Sequence, residues 1–258
     1  MTWEKIKERA EAKRRALQES DELRIYVGTA SCGLEKGAGE VLDRLASEVK
    51  RLGLKARLIE VGCLGLCSKE PLVYMSRGNL PLTCFTRVTP EAAALLLESY
   101  VAEKNCKAEY TLGHFGEGER NDLLDIYKLP FFRNQQRIAL RNCGLIDPGD
   151  LEHYIARGGY HGLIRALQME PEAVIAEIAT AGLKERGWAA LPVAAKWTLC
   201  RKSPLKEKMV MVNATENNAE CYISRLLLES DPHAVLEGAL IAAYASGAER
   251  CAIFINGR

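Results

Sequence analysis

The sequence predicts an α/β chain in two parts: a small sheet domain of interleaved strands and helices, then a helical region that closes as strand, helix and strand. Three observations carry this expectation. Val41, Leu42, Leu45 and Val49 recur at three-and-four spacing between two strand-like runs, Leu23–Val27 and Lys55–Val61, which is the pattern of a βαβ unit. Pro71–Ser76 and Leu82–Val88 are further strand-like runs parted by the turn residues Arg77, Gly78 and Asn79, the pattern of a hairpin. Near the end, Met209–Asn213 and Cys251–Ile255 flank Pro232–Ser246, a helix rich in alanine and leucine.

Taken in order, residues 3 to 18 are charged throughout and read as a solvated lead helix, with residues 1–20 as an N-terminal arm. The amphipathic helix is expected over Lys36–Arg51. A closing helix starts at Thr89, with Pro90 at its first position, where the missing N–H costs nothing, and Leu95, Leu96 and Leu97 along it. The resulting order β, α, β, β, β, α over residues 21–103 is that of a thioredoxin-like domain. Residues 104–137, with His114, Gly116, Gly118 and Pro130, lack helical periodicity and are expected as a linker laid over the surface. The second part, 138–258, is expected to be helical to about Cys200, mainly over Asp150–Leu167 and Pro171–Leu183. Its last strand is followed at once by Asn256, Gly257 and Arg258, so the expectation is a truncated domain.

Composition narrows the function. A chain of 258 residues, 48% hydrophobic and 27% charged, is long enough for two ordinary domains and is not of disordered composition. The formal net charge of +1 supplies no long-range field for nucleic acid, and the basic run Lys13–Arg15 sits among glutamates. With neither an apolar signal core nor a bilayer-length apolar run, no membrane insertion and a cytoplasmic location are expected. Nine cysteines, odd in number and unevenly spaced, read as thiols or ligands and not as a disulfide framework.

The densest chemistry lies in Val61–Leu72, VGCLGLCSKEPL, where Cys63 and Cys67 stand four apart in a glycine-containing turn entered from a strand. Cys32 lies at another strand end, in Thr29–Gly33. Thiolates on loops at neighbouring strand ends can ligate one metal or cluster, so the first domain reads as an iron–sulfur module; a zinc ion would accept the same donors. Cys106, Cys143, Cys200, Cys221 and Cys251 sit in unrelated contexts and read as small buried side chains. His114, His153 and His161 have no ligand spacing, His233 reads as structural at a helix start, and no catalytic nucleophile–base constellation stands out.

Longer phrases carry a family resemblance: Arg141–Pro148 (RNCGLIDP), Tyr154–Tyr160 (YIARGGY), Asp231–Gly238 (DPHAVLEG) and the pair Lys196 and Trp197. In these the chain resembles the front of the flavin subunit of NAD-dependent hydrogenases and formate dehydrogenases, the homologue of the 51-kDa subunit of complex I. The resemblance implies a thioredoxin-like [2Fe-2S] ferredoxin domain followed by an FMN-binding α/β domain, with iron–sulfur and flavin subunits of a redox complex as partners. Cys32, Cys63 and Cys67 align with three cluster ligands. Where the fourth is expected the chain has Tyr26 and Val27, which leaves Cys84 on the hairpin's return strand, or more weakly the hydroxyl of Ser31.

The flavin motifs depart from the family. The glycine-rich loop GLRGRGGAGFPTGLKW reads GLKERGWAALPVAAKW over Gly182–Trp197, so that Glu185, Trp188, Ala190 and Ala194 replace glycines. Absent side chains let a backbone approach phosphate, and a carboxylate at Glu185 opposes one. The second motif, NADEGEPGTFKDR, reads NATENNAECYISR; it keeps Asn213, Ala214, Glu216 and Arg225 and loses the expected residues at Thr215, Asn217 and Glu220. FMN and NAD are therefore not expected to bind in the usual way. The expected function is an electron-transfer subunit of a soluble oxidoreductase complex, relaying electrons through a [2Fe-2S] cluster, with the flavin-type domain as a docking platform. The alternatives are an FMN-dependent NADH dehydrogenase component completed by another chain, and a cofactor-free assembly subunit.

Overall fold

The computed structural model describes residues 2–78, 80–103, 108–116, 123–187, 189–216 and 221–256. The chain divides into two compact units, the first comprising Met1–Ala156 with Glu229–Asp231, the second Arg157–Leu228 with Pro232–Arg258.

In the first unit, α1 (Trp3–Glu19) leads into β1 (Leu23–Gly28), the short α2 (Ser31–Glu35), α3 (Ala38–Arg51) and β2 (Ala56–Val61). The expected single helix over Lys36–Arg51 begins instead at Ala38, because Gly37 turns the chain at φ +91° and separates α2 from α3. The hairpin follows as β3 (Val73–Arg77) and β4 (Leu82–Phe85), then α4 (Pro90–Glu103). The sheet order is β2-β1-β3-β4-β5, with β1 and β2 parallel and the rest antiparallel. That topology, with a βαβ unit joined to a β-hairpin and a closing helix, is thioredoxin-like, as expected.

One expectation is corrected here. The stretch 104–137 is not merely a surface linker: Thr111–Phe115 forms β5, the fifth strand, pairing with β4 across a register irregularity at Cys84 and Phe85. The unsatisfied edge of β4 takes a further strand, and Phe115 buries its ring edge-on against Tyr74.

Side chains alternate across the sheet with the period of two that strands impose. Leu23, Ile25, Val27, Val73, Met75 and Phe85 face α3 and α4 in one cluster. Ile59, Val61, Leu72, Tyr74 and Cys84 face the opposite way, joined there by Leu64 and Leu66 from the cysteine turn and by Phe115 and Ile126. Near the N-terminus, Lys13 of α1 reaches Asp150 at 2.8 Å and Glu152 at 2.7 Å, which anchors the lead helix on α5 (Leu151–Ile155).

In the second unit the expected helix over Asp150–Leu167 is broken. Its second half is α6 (His161–Leu167), because Gly158 and Tyr160 take left-handed φ values of +85° and +60°. The remaining elements are α7 (Pro171–Thr180), α8 (Val193–Lys202), β6 (Met209–Asn213), α9 (Ile223–Ser230), α10 (Pro232–Ser246) and β7 (Arg250–Phe254). The last two residues of α9 count with the first unit. Ala166, Val174, Ile175, Ala194 and Ala245 form the small core, and β6 and β7 pair in parallel as a two-stranded sheet. No helix among the described residues is long and apolar enough to cross a membrane.

Candidate functional site

Cys32 lies in α2, just past the end of β1, and Cys63 and Cys67 lie in the turn that leaves β2. Because β1 and β2 are parallel neighbours, these two exits open at the same end of the sheet. The Cys67 thiol donates to Cys32 Sγ at 3.5 Å. Cys63 is buried, Cys32 half-buried and Cys67 exposed. Burial pushes the Cys63 thiol up to about 12, against the opposing pull of the Gly65 N–H, which donates to its sulfur at 3.2 Å. Burial also raises Cys32, to about 11, with the Cys67 thiol and the charges of Glu70 and Glu35 adding to it.

Glycines let these loops close. A Cβ on Gly33 would stand 2.0 Å from the Gly28 carbonyl oxygen, so the residue after Cys32 has no room for a side chain. A Cβ on Gly62 would meet the Cα, Cβ and Oγ of Ser230 at 2.2–2.4 Å. Ser230 belongs to Glu229–Asp231, a three-residue strap that counts with the first unit. Glu229 accepts from the Ser31 N–H at 3.1 Å and from its hydroxyl at 2.6 Å, beside Cys32. The Ser230 hydroxyl accepts from the Cys63 N–H at 2.9 Å, and Asn142 donates to Asp231 at 2.9 Å. Ser230 also bonds the Cys143 thiol, which burial pushes up to about 11.

The sequence singled out neither the strap nor Glu70. Glu70 is buried, accepts from the Leu72 N–H at 2.8 Å and, through desolvation, is raised to about 7. Its position three residues after Cys67 was the available signal. Glu229 and Ser230 had none, since their partners lie 198 and 167 residues away in sequence.

Of the four candidate ligands, the structure brings Cys32 and Cys67 into contact and sets Cys63 on the same turn as Cys67. Cys84 is fully buried on β4, in the apolar cluster that also holds Leu64 and Leu66 of the cysteine turn, with its Sγ 3.9 Å from the Phe85 carbonyl oxygen. Burial and then Glu70 raise its thiol well above the ordinary value. The Ser31 hydroxyl is engaged by Glu229. Among the described residues no group of three or more His, Cys, Asp or Glu side chains stands in metal-holding geometry. Three thiols on two adjacent loops nonetheless match the donor chemistry of a thiolate-bound iron centre, three ligands of the four such a cluster takes. Cys106 lies outside the described residues.

The loop 182–197 is organised differently. The N–H groups of Glu185, Ala190 and Val193 donate to the carbonyls of Leu191, Gly187 and Leu183 at 2.9, 3.1 and 3.0 Å, closing the loop on itself. Lys196 Nζ reaches Glu185 at 2.7 Å, and this ammonium holds the Glu185 carboxyl below its usual range. Three amides of the loop and the Lys196 ammonium are thus engaged within the loop itself. Trp188, Asn217 and Glu220 lie outside the described residues. In the second motif, Glu216 accepts from the N–H groups of Ser224 and Arg225 at 2.5 and 3.2 Å, so a retained residue caps the start of α9.

Asn142 of RNCGLIDP bonds Asp231 of DPHAVLEG. Tyr160 of YIARGGY sends its N–H to Glu237 at 2.8 Å, and its hydroxyl lies 3.0 Å from His233 Nδ1. Glu237 also accepts from the Leu163 N–H at 3.1 Å, so it secures the start of α6.

Residues 178–258 match the family described as the Nuo51 FMN-binding domain. The chain is 41% identical over 124 residues to the NADP-reducing hydrogenase subunit HndC of Solidesulfovibrio fructosivorans, covering 48% of this chain and 25% of that protein. It is 35% identical over 121 residues to a subunit of the NADH-quinone oxidoreductase of Rhizobium meliloti, covering 46% of this chain and 29% of the relative. The chain therefore spans about a quarter of the length of these curated relatives. Among solved structures it is similar to a thioredoxin-like [2Fe-2S] ferredoxin from Aquifex aeolicus, at 13% identity and a TM-score of 0.34, over 38% of this chain and 96% of that one. The resemblance to flavin subunits of hydrogenase and NADH-oxidoreductase complexes is borne out.

Proposed function

We propose that this chain is an electron-transfer subunit of a multi-subunit oxidoreductase, with its thioredoxin-like unit holding a [2Fe-2S] cluster and its Nuo51-type region serving as a docking platform. The observation that carries this reading is the opening of the Cys32 and Cys63–Cys67 loops at one end of the sheet, with two of the thiols in contact. Cys32, Cys63 and Cys67 would hold the cluster. Cys84, the one described cysteine on the five-stranded sheet, is proposed as the fourth ligand. When bound, the cluster supplies one-electron transfer. The protein's part is to fix the ligand loops through Gly33, Gly62 and the Glu229–Asp231 strap, and to keep Cys63 out of water. Partners are proposed to be iron–sulfur and flavin subunits, and exposed Met209, Met211 and Phe254 on the β6–β7 sheet give them apolar surface to cover. Free thiol ligands suit a reducing, cytoplasmic setting.

Anaerobic purification followed by iron, acid-labile sulfide and FMN analysis, with electron paramagnetic resonance after dithionite, tests the reading. About two irons and two sulfides per chain, with a binuclear reduced-state signal, are expected; Cys63→Ser should abolish both and Cys143→Ser retain them. The Nuo51 match favours a second reading, an FMN-dependent NADH dehydrogenase component, which stoichiometric FMN would establish in place of the first. Absence of iron and flavin together would leave an assembly subunit.

A further inference from the structure

The three thiols at the sheet end differ in what they offer to a reagent. Cys67 is exposed and opens a short 3-10 turn at Cys67–Lys69, where a solute can reach its sulfur. Cys32 is recessed beside it at 3.5 Å, its loop held by the two Glu229 bonds to Ser31 and by the close approach of Gly33 to Gly28. Cys63 is buried, with its N–H held by Ser230. A disulfide sulfur–sulfur bond is about 2.05 Å long, so the Cys32–Cys67 pair needs roughly 1.5 Å of approach, within reach of a side-chain rotation.

We propose that Cys32 and Cys67 are a reversible dithiol–disulfide couple whenever they carry no metal, closed by exchange with a small-molecule disulfide of the glutathione class. The Cys67 thiolate attacks one sulfur of the small disulfide, forming a mixed disulfide at Cys67 and expelling one small thiolate. The Cys32 thiolate then attacks Cys67 Sγ, forming the Cys32–Cys67 bond and expelling the second. Two protein thiols are oxidised, the small disulfide is reduced to two thiols, and the two protons lost by the cysteines go to the two leaving groups. Disulfide and metal loading exclude one another, because the same two sulfurs serve both. The couple does not require that a cluster ever binds, so it stands apart from the reading above.

The test uses the full chain, stripped with a chelator under reductant, desalted anaerobically and exposed to oxidised glutathione, with peptides then mapped by mass spectrometry. The expected product is a linked pair of peptides containing Cys32 and Cys67, two hydrogens lighter than the reduced pair and released by dithiothreitol. Cys32→Ser should arrest the chain as a stable glutathione adduct on Cys67, and Cys67→Ser should leave Cys32 a thiol. A wild-type chain that keeps a glutathione adduct on Cys67 beside a free Cys32, or that links Cys67 to Cys63, would overturn the proposal. Iron content measured before stripping decides the cluster reading separately.

Discussion

Two glycine-bearing regions of this molecule use their glycines in opposite ways. Around the cysteines, Gly33 and Gly62 are places where any Cβ would run into neighbouring backbone or the Ser230 side chain at 2.0–2.4 Å. In the loop 182–197, Gly182 has nothing within 4 Å of where its Cβ would stand, and Ala190, an L-residue, holds a left-handed φ of +46°. The first region still depends on close backbone approach. The second is held by contacts within itself, notably the Lys196–Glu185 pair. Glycine content alone therefore does not say whether a loop is closed by backbone approach or by side-chain contacts.

The largest effect is expected from Gly33→Ala. A methyl group 2.0 Å from the Gly28 carbonyl oxygen forces α2 away from β1, and overpacking of this kind costs about 3 kcal/mol. Gly182→Ala, strained only by its φ of +65°, should cost about 1 kcal/mol. Urea denaturation of both variants measures the contrast, and equal losses would erase it.

Next comes the pH response of the metal-free, reduced chain. Glu70 is raised by burial from 4.5 to about 7. Its folded state therefore holds a proton that the unfolded state releases, and stability falls as pH rises across that interval, by an amount on the order of 3 kcal/mol. Asp150 runs the other way: burial opposes its ionisation, but the Lys13 ammonium prevails and lowers it, so its contribution is present above the ordinary carboxyl range and lost in acid. Glu70→Gln should flatten the decline between pH 4.5 and 7 while leaving the acid limb unchanged. A decline that persists in the variant would assign it to another group.

The thiol region was largely legible because its signals are local. The three-and-four spacing of Val41, Leu45 and Val49 marked α3, the Arg77–Asn79 turn marked the hairpin, and Cys63 and Cys67 sat visibly in one turn. What sequence reading missed is non-local or short. β5 has five residues and is recruited by the open edge of β4. The helix expected over Asp150–Leu167 is interrupted where Gly158 and Tyr160 take left-handed φ values. The strap Glu229–Asp231 acts on partners that no local pattern could connect with it. The face of β4 that carries Cys84 was likewise not legible in sequence: strand alternation places it in the cluster of Tyr74, Phe115 and the cysteine-turn residues Leu64 and Leu66.

A smaller effect sharpens the reading of the second loop. Glu185→Ala removes the carboxylate that Lys196 now engages, leaving an ammonium at the loop without that partner. The pair is exposed to solvent, so thermal stability should barely change. Affinity for FMN, followed by quenching of flavin fluorescence, should rise several-fold over wild type if the carboxylate is what repels phosphate. An unchanged affinity would place the obstruction in the loop's closed backbone bonds instead.

The smallest predicted effect bears on how that loop departed from its relatives. Ala190 pays the left-handed cost of an L-residue, about 1 kcal/mol, while its N–H remains bonded to Gly187 at 3.1 Å. Ala190→Gly removes that cost but adds unfolded-state freedom of roughly 0.5–1 kcal/mol, so the net gain should be at most about 0.5 kcal/mol. Gly187, whose added Cβ would meet only Glu185 atoms at 3.7–3.9 Å, is the opposite control: Gly187→Ala removes unfolded-state freedom without a close clash. If Ala190→Gly destabilises the chain, the left-handed turn is maintained by contacts of the alanine methyl itself, and the loop was rebuilt around alanine. If it stabilises, the left-handed backbone at 190 is set by the loop's own hydrogen bonds, and the alanine methyl only adds strain to it.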